Sequence, residues 1–134
     1  MDKTYIDKLA YIRIENRKIL TTLSKGKDVW YIPGGKREGN ESDQEALIRE
    51  VEEELTVRLL PETIRHYGTF EAQAHGKPEG TVVRMTCYEA DFDNTLAASS
   101  EIEQFKFVSY NWKDKSSPVD VLIFDDLKAK NLID

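Results

Sequence analysis

Apolar and polar residues alternate in short runs at the start of the chain. Residues 5–14 read as a strand with partial alternation. Glu15-Asn16-Arg17 reads as a turn and residues 18–23 as a second strand, which predicts a hairpin. A loop at Lys25-Gly26-Lys27-Asp28 leads to the short apolar run Val29-Trp30-Tyr31-Ile32, which Pro33-Gly34-Gly35 ends. The period then changes. Ser42, with Glu45 three residues on, forms a capping box, and a helix is predicted over residues 43–55. Pro61 marks a break. Residues 63–73 and 81–92 predict two strands joined by the turn at 74–80, with His75 as a turn residue. Residues 94–100 read as a loop and 104–108 as another strand. Ser117-Pro118 starts a second helix, with proline at its first position. Val121, Leu122, Phe124 and Leu127 are its expected core-facing set.

The order of strands, helix, strands, helix predicts an α/β (α+β) fold. It is a mixed sheet flanked by two main helices in an α/β/α sandwich. No repeat, linker or low-complexity stretch interrupts the 134 residues, so one domain over 1–134 is expected.

Composition narrows the function. Hydrophobic residues make up 40% and charged residues 33%, as in a globular protein. The net charge is −6 and no basic stripe is visible, which argues against a nucleic-acid partner. No run is long and apolar enough for a membrane span or a secretory signal, so a cytoplasmic location and no membrane partner are expected. The lone Cys87 lies in an apolar run and reads as an inert core thiol.

The chemistry gathers in residues 35–55, where a glycine pair precedes a helix dense in carboxylates. At about 100° per residue, Leu47, Val51 and Leu55 form the apolar side, with Ile48 at its edge. Glu50, Glu53 and Glu54 share a neighbouring stripe, Glu54 lies closest to the apolar residues, and Glu52 faces water. Such a face is either solvated or a site for a hard cation, since magnesium takes carboxylate oxygens, water and substrate phosphates. Arg49, one turn before Glu53, is placed to orient a carboxylate by a charged hydrogen bond. Gly34 and Gly35 allow close backbone approach and offer a carbonyl as a further ligand.

Gly35, Glu41, Arg49-Glu50, Val51 and Glu53-Glu54, at these spacings and behind WYIPGG, resemble the signature box of the Nudix hydrolase family. Two positions depart from it. Thr56 stands where the box has glycine, so a differently shaped helix exit is expected. Asn40 stands where many members have glycine, a mild change because Asn tolerates the left-handed region.

The resemblance implies a pyrophosphohydrolase acting on a small nucleotide, a nucleoside diphosphate linked to another group. A nucleoside triphosphate is the first expectation, with ADP-ribose, another nucleotide sugar or a dinucleoside polyphosphate as alternatives. A nucleotide-binding module without turnover is the competing class. It further implies that Glu50, Glu54 and the Gly35 carbonyl bind Mg²⁺ or Mn²⁺, and that Glu53 ligates a second ion or holds the attacking water. Arg49 would orient the glutamates, while Glu41 and Gly34 would support the loop. A later carboxylate is expected to join, Glu101 first and Glu103 second. The base is Glu53 or Glu101. Homodimers are common in the family.

Lys36 and Arg37 are candidates to meet phosphates, or else a solvated pair. Arg13 and Arg84, charges within strands, are weaker candidates. Tyr31 is a candidate substrate contact by stacking, as are Tyr5, Phe70 and Tyr88, with the core as the competing place for each. His66 has no evident partner.

Overall fold

A computed structural model describes residues 3–74 and 76–134. His75 lies outside the described residues. In chain order the elements are β1 (Thr4–Tyr11), β2 (Ile14–Glu15), β3 (Lys18–Ser24), β4 (Trp30–Tyr31), β5 (Gly34–Gly35) and α1 (Asp43–Leu55). Then follow β6 (Arg58–Leu59), β7 (Arg65–Gln73), β8 (Thr81–Glu89), β9 (Phe92–Asp93), β10 (Ile102–Val108) and α2 (Pro118–Ala129). Short 3₁₀ turns occupy Pro61–Thr63 and Tyr110–Lys115.

Two four-stranded sheets carry the fold. The first has the order β5-β1-β8-β7, with β1 and β8 parallel and the outer pairs antiparallel. The second is antiparallel, with β3 between β10 and β2 and with β4 also paired to β3. Strand β1 shows why there are two cores. Its pleat sends Leu9 and Tyr11 into a cluster with Leu47, Val51 and Leu55 of α1. Ala10 and Ile12 go the other way, into a cluster with Ile123, Phe124 and Leu127 of α2. The two helices therefore cover opposite faces, the predicted α/β/α arrangement. Among the described residues no helix is long and apolar enough to cross a membrane.

Several sequence expectations need correction. The predicted hairpin is short. The strand breaks at Ile12-Arg13, and only Ile14–Glu15 pairs with β3 around a two-residue turn. Asn16 and Arg17 both adopt positive φ there, as a type I′ turn requires. The rest of the expected first strand, β1, pairs instead with β8 and β5.

The face of α2 is also different. Val119, Asp120, Ile123, Phe124 and Leu127 are buried, whereas Leu122 is exposed and Val121 only half-buried. The apolar count drew the stripe one position off, because a buried aspartate occupies part of it.

Helix α1 forms as expected. Both halves of its capping box are present, with the Glu45 amide donating to Ser42 Oγ and the Ser42 amide to Glu45 Oε1. Its exit is not reshaped. Thr56 takes the left-handed conformation itself (φ 61°, ψ 12°), and its amide donates to the Glu52 carbonyl. Thr56 Oγ1 donates to the Thr95 carbonyl at 3.2 Å, one compensation for the strain of a β-branched residue there. In the preceding loop the positive φ falls on Gly39, not on Asn40.

Candidate functional site

The glycine pair is an edge strand, with Leu9 opposite Gly35 and Ala10 opposite Gly34. Gly34 is sterically required, and Gly35 is required for the Glu50 head group to stay where it is. A Cβ on Gly34 (φ 145°) would lie 1.9 Å from the Leu9 carbonyl oxygen, and one on Gly35 would lie 2.5 Å from the Glu50 carboxyl carbon. The Glu50 head group thus rests directly on the Gly35 backbone.

Glu54 is the buried member of the helix stripe, only 5% exposed. The Gly34 amide donates to its Oε1 at 3.3 Å. Burial, and then the neighbouring Glu50 charge, push its pKa up to about 8. Burial also raises Glu50, against the pull of Arg49. A carboxylate held in this way is unfavourable as an anion until a cation meets it.

Arg49 organises the other carboxylates. Its Nε and Nη2 donate to the two oxygens of Glu41 at 2.7 and 2.9 Å, a bidentate pair. Nη1 donates to Glu50 at 2.9 Å and reaches Glu53 at 3.4 Å. Nη2 also donates to the Lys36 carbonyl at 3.0 Å. Arg49 holds Glu41 far below the usual carboxylate range, at about 2. The Glu38 amide donates to Glu41 as well, so Glu41 ties the loop to the helix. Glu53 is exposed, and its link to Arg49 is the loosest of the set.

A cavity of about 180 Å³ opens beside this stripe, with Gly34, Gly35, Glu54 and Glu101 in its lining. Ser100 Oγ donates to Glu101 Oε2 at 2.6 Å and lowers its pKa. Glu103 is exposed and outside this lining. A second cavity, of about 130 Å³, adjoins the first through Lys8, Tyr31 and Met85 and adds Lys36. Tyr31 and Lys36 are therefore on the cleft.

Arg37 is not. It is paired with Asp43 and faces Asp7. Arg13 pairs with Glu15 and lies over Phe92. Arg84 pairs with Glu71 and stacks on Tyr5. Phe70 packs on the α2-side core, and Tyr88 donates to Asp43. His66 has neighbours the sequence did not offer, Thr69 Oγ1 at 3.4 Å and the edge of Tyr88. Cys87 is fully buried, and burial raises its thiol pKa.

One residue of the cleft and one buried near it escaped the sequence reading. Lys8 lines both cavities, yet it sits in the alternation Ile6-Lys8-Ala10-Ile12 on the face toward α2. A lysine in an otherwise apolar register was the available signal. Asp120 is fully buried beneath it. Its Oδ2 accepts the Ile32 amide at 3.0 Å, its Oδ1 has no hydrogen-bond partner, and burial pushes its pKa up to about 7.

The donor set suits a hard divalent cation. Glu50 and Glu54 bring oxygen ligands to one spot next to the glycine backbone, and burial there makes their anions unfavourable until a cation joins them. Among the described residues no three acidic, histidine or cysteine side chains converge as a ready ligand group. Glu53 points toward Arg49, and backbone, water and substrate oxygens are left to complete a shell.

The family model described as NUDIX domain matches residues 9–122. Solved structures share the fold. The MutT protein of Methanosarcina mazei Go1 has 19% identity and a TM-score of 0.75, over 98% of each chain. The E. coli ORF135 protein has 24% identity and a TM-score of 0.73, over 95% of this chain and 91% of that one. A bifunctional NMN adenylyltransferase/ADP ribose pyrophosphatase from Francisella tularensis, complexed with AMP and a Mn ion, has 22% identity and a TM-score of 0.68. There the match covers 96% of this chain and 42% of the other. At these identities the likeness speaks to the fold alone. No curated protein matches the chain.

Proposed function

The chain belongs to the Nudix hydrolase family, whose model spans most of its length, and from that premise we propose a pyrophosphohydrolase that cleaves a nucleoside triphosphate to the monophosphate and pyrophosphate. The observation that carries this reading is the buried Glu54, beside Glu50 and the Gly34-Gly35 backbone, on the rim of a cavity. Residues 1–134 act as one Nudix domain in this reading.

Nudix hydrolases need a divalent metal. Here Glu50 and Glu54, with the Gly35 carbonyl, would hold Mg²⁺ or Mn²⁺, and Glu53 is the candidate for a second ion. A bound ion supplies charge neutralisation at the phosphoryl oxygens. The chain supplies the rest. Arg49 fixes Glu50 and Glu41, so the carboxylates need little reorganisation as charge develops. Glu53 or Glu101 accepts the proton of the water that attacks phosphorus in line with the leaving group. Glu101, whose pKa is lowered, stays ionised for that purpose. Lys36 and Tyr31 on the cleft support substrate contact.

The test is a panel of nucleoside triphosphates, nucleotide sugars and dinucleoside polyphosphates, with products followed by phosphorus NMR and Glu54→Gln as control. Turnover that starts with triphosphates and vanishes in the control is expected. Binding without turnover across the panel would overturn the hydrolytic reading in favour of a nucleotide sensor.

A further inference from the structure

Lys8, Lys36 and Lys77 surround the smaller cavity. None of the three has a carboxylate within 4 Å among the described residues, and what sets them apart from other unpaired lysines is that they line one cavity. The walls between the lysines are apolar, including Ile6, Val83 and Met85. Lys8 is the most unusual of the three. It stands opposite Met85 in the parallel β1–β8 pair, on a face otherwise given to the α2-side core. Burial lowers its pKa, and the nearby Lys36 charge and, more weakly, Lys77 lower it further, while Asp120 pulls the other way. Asp120 lies beneath and already accepts the Ile32 amide, so it does not neutralise three ammonium groups.

We propose that this cavity binds a terminal, doubly charged phosphate group of the substrate, held by Lys8, Lys36 and Lys77 next to the diphosphate that is cut. The inference rests on the hydrolase reading of the neighbouring cavity. Continuity supports it, because Lys8 and Tyr31 line both spaces and a substrate extending from Glu54 arrives among the lysines. Charge supports it too. Like charges gathered at one cavity repel, and a doubly charged phosphate relieves them. Lysine suits a phosphate as a point charge with freely turning donors. A terminal phosphate on a triphosphate and a phosphate ester on the group linked to a nucleoside diphosphate present this same chemistry. A plain nucleotide sugar does not.

The experiment has a binding arm and a kinetic arm. Calorimetry of the metal-free protein with ribose 5-phosphate, and with ribose as the uncharged control, reads the cavity without turnover. We expect ribose 5-phosphate to bind, ribose not to, and the Lys8→Met/Lys77→Met double variant to weaken binding at least tenfold. Unchanged binding in the variant overturns the proposal. In the kinetic arm kcat/KM is compared for ATP, ADP-ribose and a nucleoside diphosphate-linked sugar phosphate. A tenfold fall in the variant for ATP assigns the terminal phosphate. A fall for the sugar phosphate alone assigns an ester on the linked group. Equal falls for all three substrates, or none while turnover persists, sink the lysine proposal and leave the hydrolase reading standing. Lysine-dependent binding without turnover of any substrate does the reverse. Lys8→Met places an apolar chain at an apolar register, so a melting temperature at or above that of the parent is expected, and Lys8→Gln repeats the test with a polar side chain.

Discussion

Two charged regions meet at Tyr31, and they are built in opposite ways. On the α1 side most of the charge is paired internally. Arg49 alone contacts Glu41, Glu50, Glu53 and Glu38 at 3.4 Å or less, and the buried Glu54 has no cation beside it. On the α2 side Lys8, Lys36 and Lys77 have no carboxylate within 4 Å among the described residues, and Asp120 keeps an unpaired oxygen. The contrast separates structure from function. Internally paired ions fix a shape before any ligand arrives. Unpaired groups that also line a cavity mark where a ligand contributes, a cation at Glu54 and an anion at the lysines.

The comparison breaks most visibly at Glu54. Glu54→Gln keeps the shape and removes the carboxylate that a cation would meet, and a loss of roughly 10²–10³-fold in kcat is expected from steady-state kinetics. The paired side should respond differently. Arg49→Met leaves Glu41 and Glu50 without their donor, so activity should fall about 10–100-fold, as for groups that orient metal ligands. The melting temperature should fall with it, which separates a framework residue from Glu54. Retained stability in Arg49→Met would blur the distinction.

Asp120 offers a pH reading on the other side. Its folded pKa, about 7, lies above the ordinary 3.8 because burial disfavours the anion. Its folded form therefore holds a proton that the unfolded chain has already lost. That contribution to stability is complete below about pH 4 and is lost as pH rises toward 7. Chemical denaturation across this window should show stability falling with pH, and a flatter profile in Asp120→Asn. An identical slope in the two proteins would remove Asp120 from the account.

The smallest effect belongs to Thr56, at the exit of α1. Thr56→Gly relieves a left-handed β-branched residue and forfeits the Thr95 contact. A net gain of about 1 kcal/mol is expected in urea unfolding, and a loss would mean the hydroxyl contact outweighs the strain.

Much of the acidic side was legible in the sequence because its determinants are local. The capping box, the helix period and the Gly35-to-Glu54 spacing all lie within one stretch, and Glu54 was already closest to the apolar stripe. The lysine cavity was not legible in the same way. It is assembled by the parallel pairing of β1 with β8, which are far apart in sequence. Local alternation pointed instead to a β1–β3 hairpin. The alternation of Ile6, Lys8, Ala10 and Ile12 did mark the face of Lys8, but not the strand and loops that close the cavity around it. The same long-range packing buried Asp120 and exposed Leu122, where an apolar count alone favoured leucine. Arg37 looked like a phosphate ligand beside the glycines, but Asp43, at the start of α1, holds it.

The central claim is that Glu54 and Glu50 form a buried carboxylate pair that a divalent cation completes. Titration of Mn²⁺ into the parent protein and into Glu54→Gln, followed by calorimetry, tests it most directly. The account predicts a saturable site in the parent protein and at least tenfold weaker binding in the variant. Equal affinity in the two proteins would contradict it.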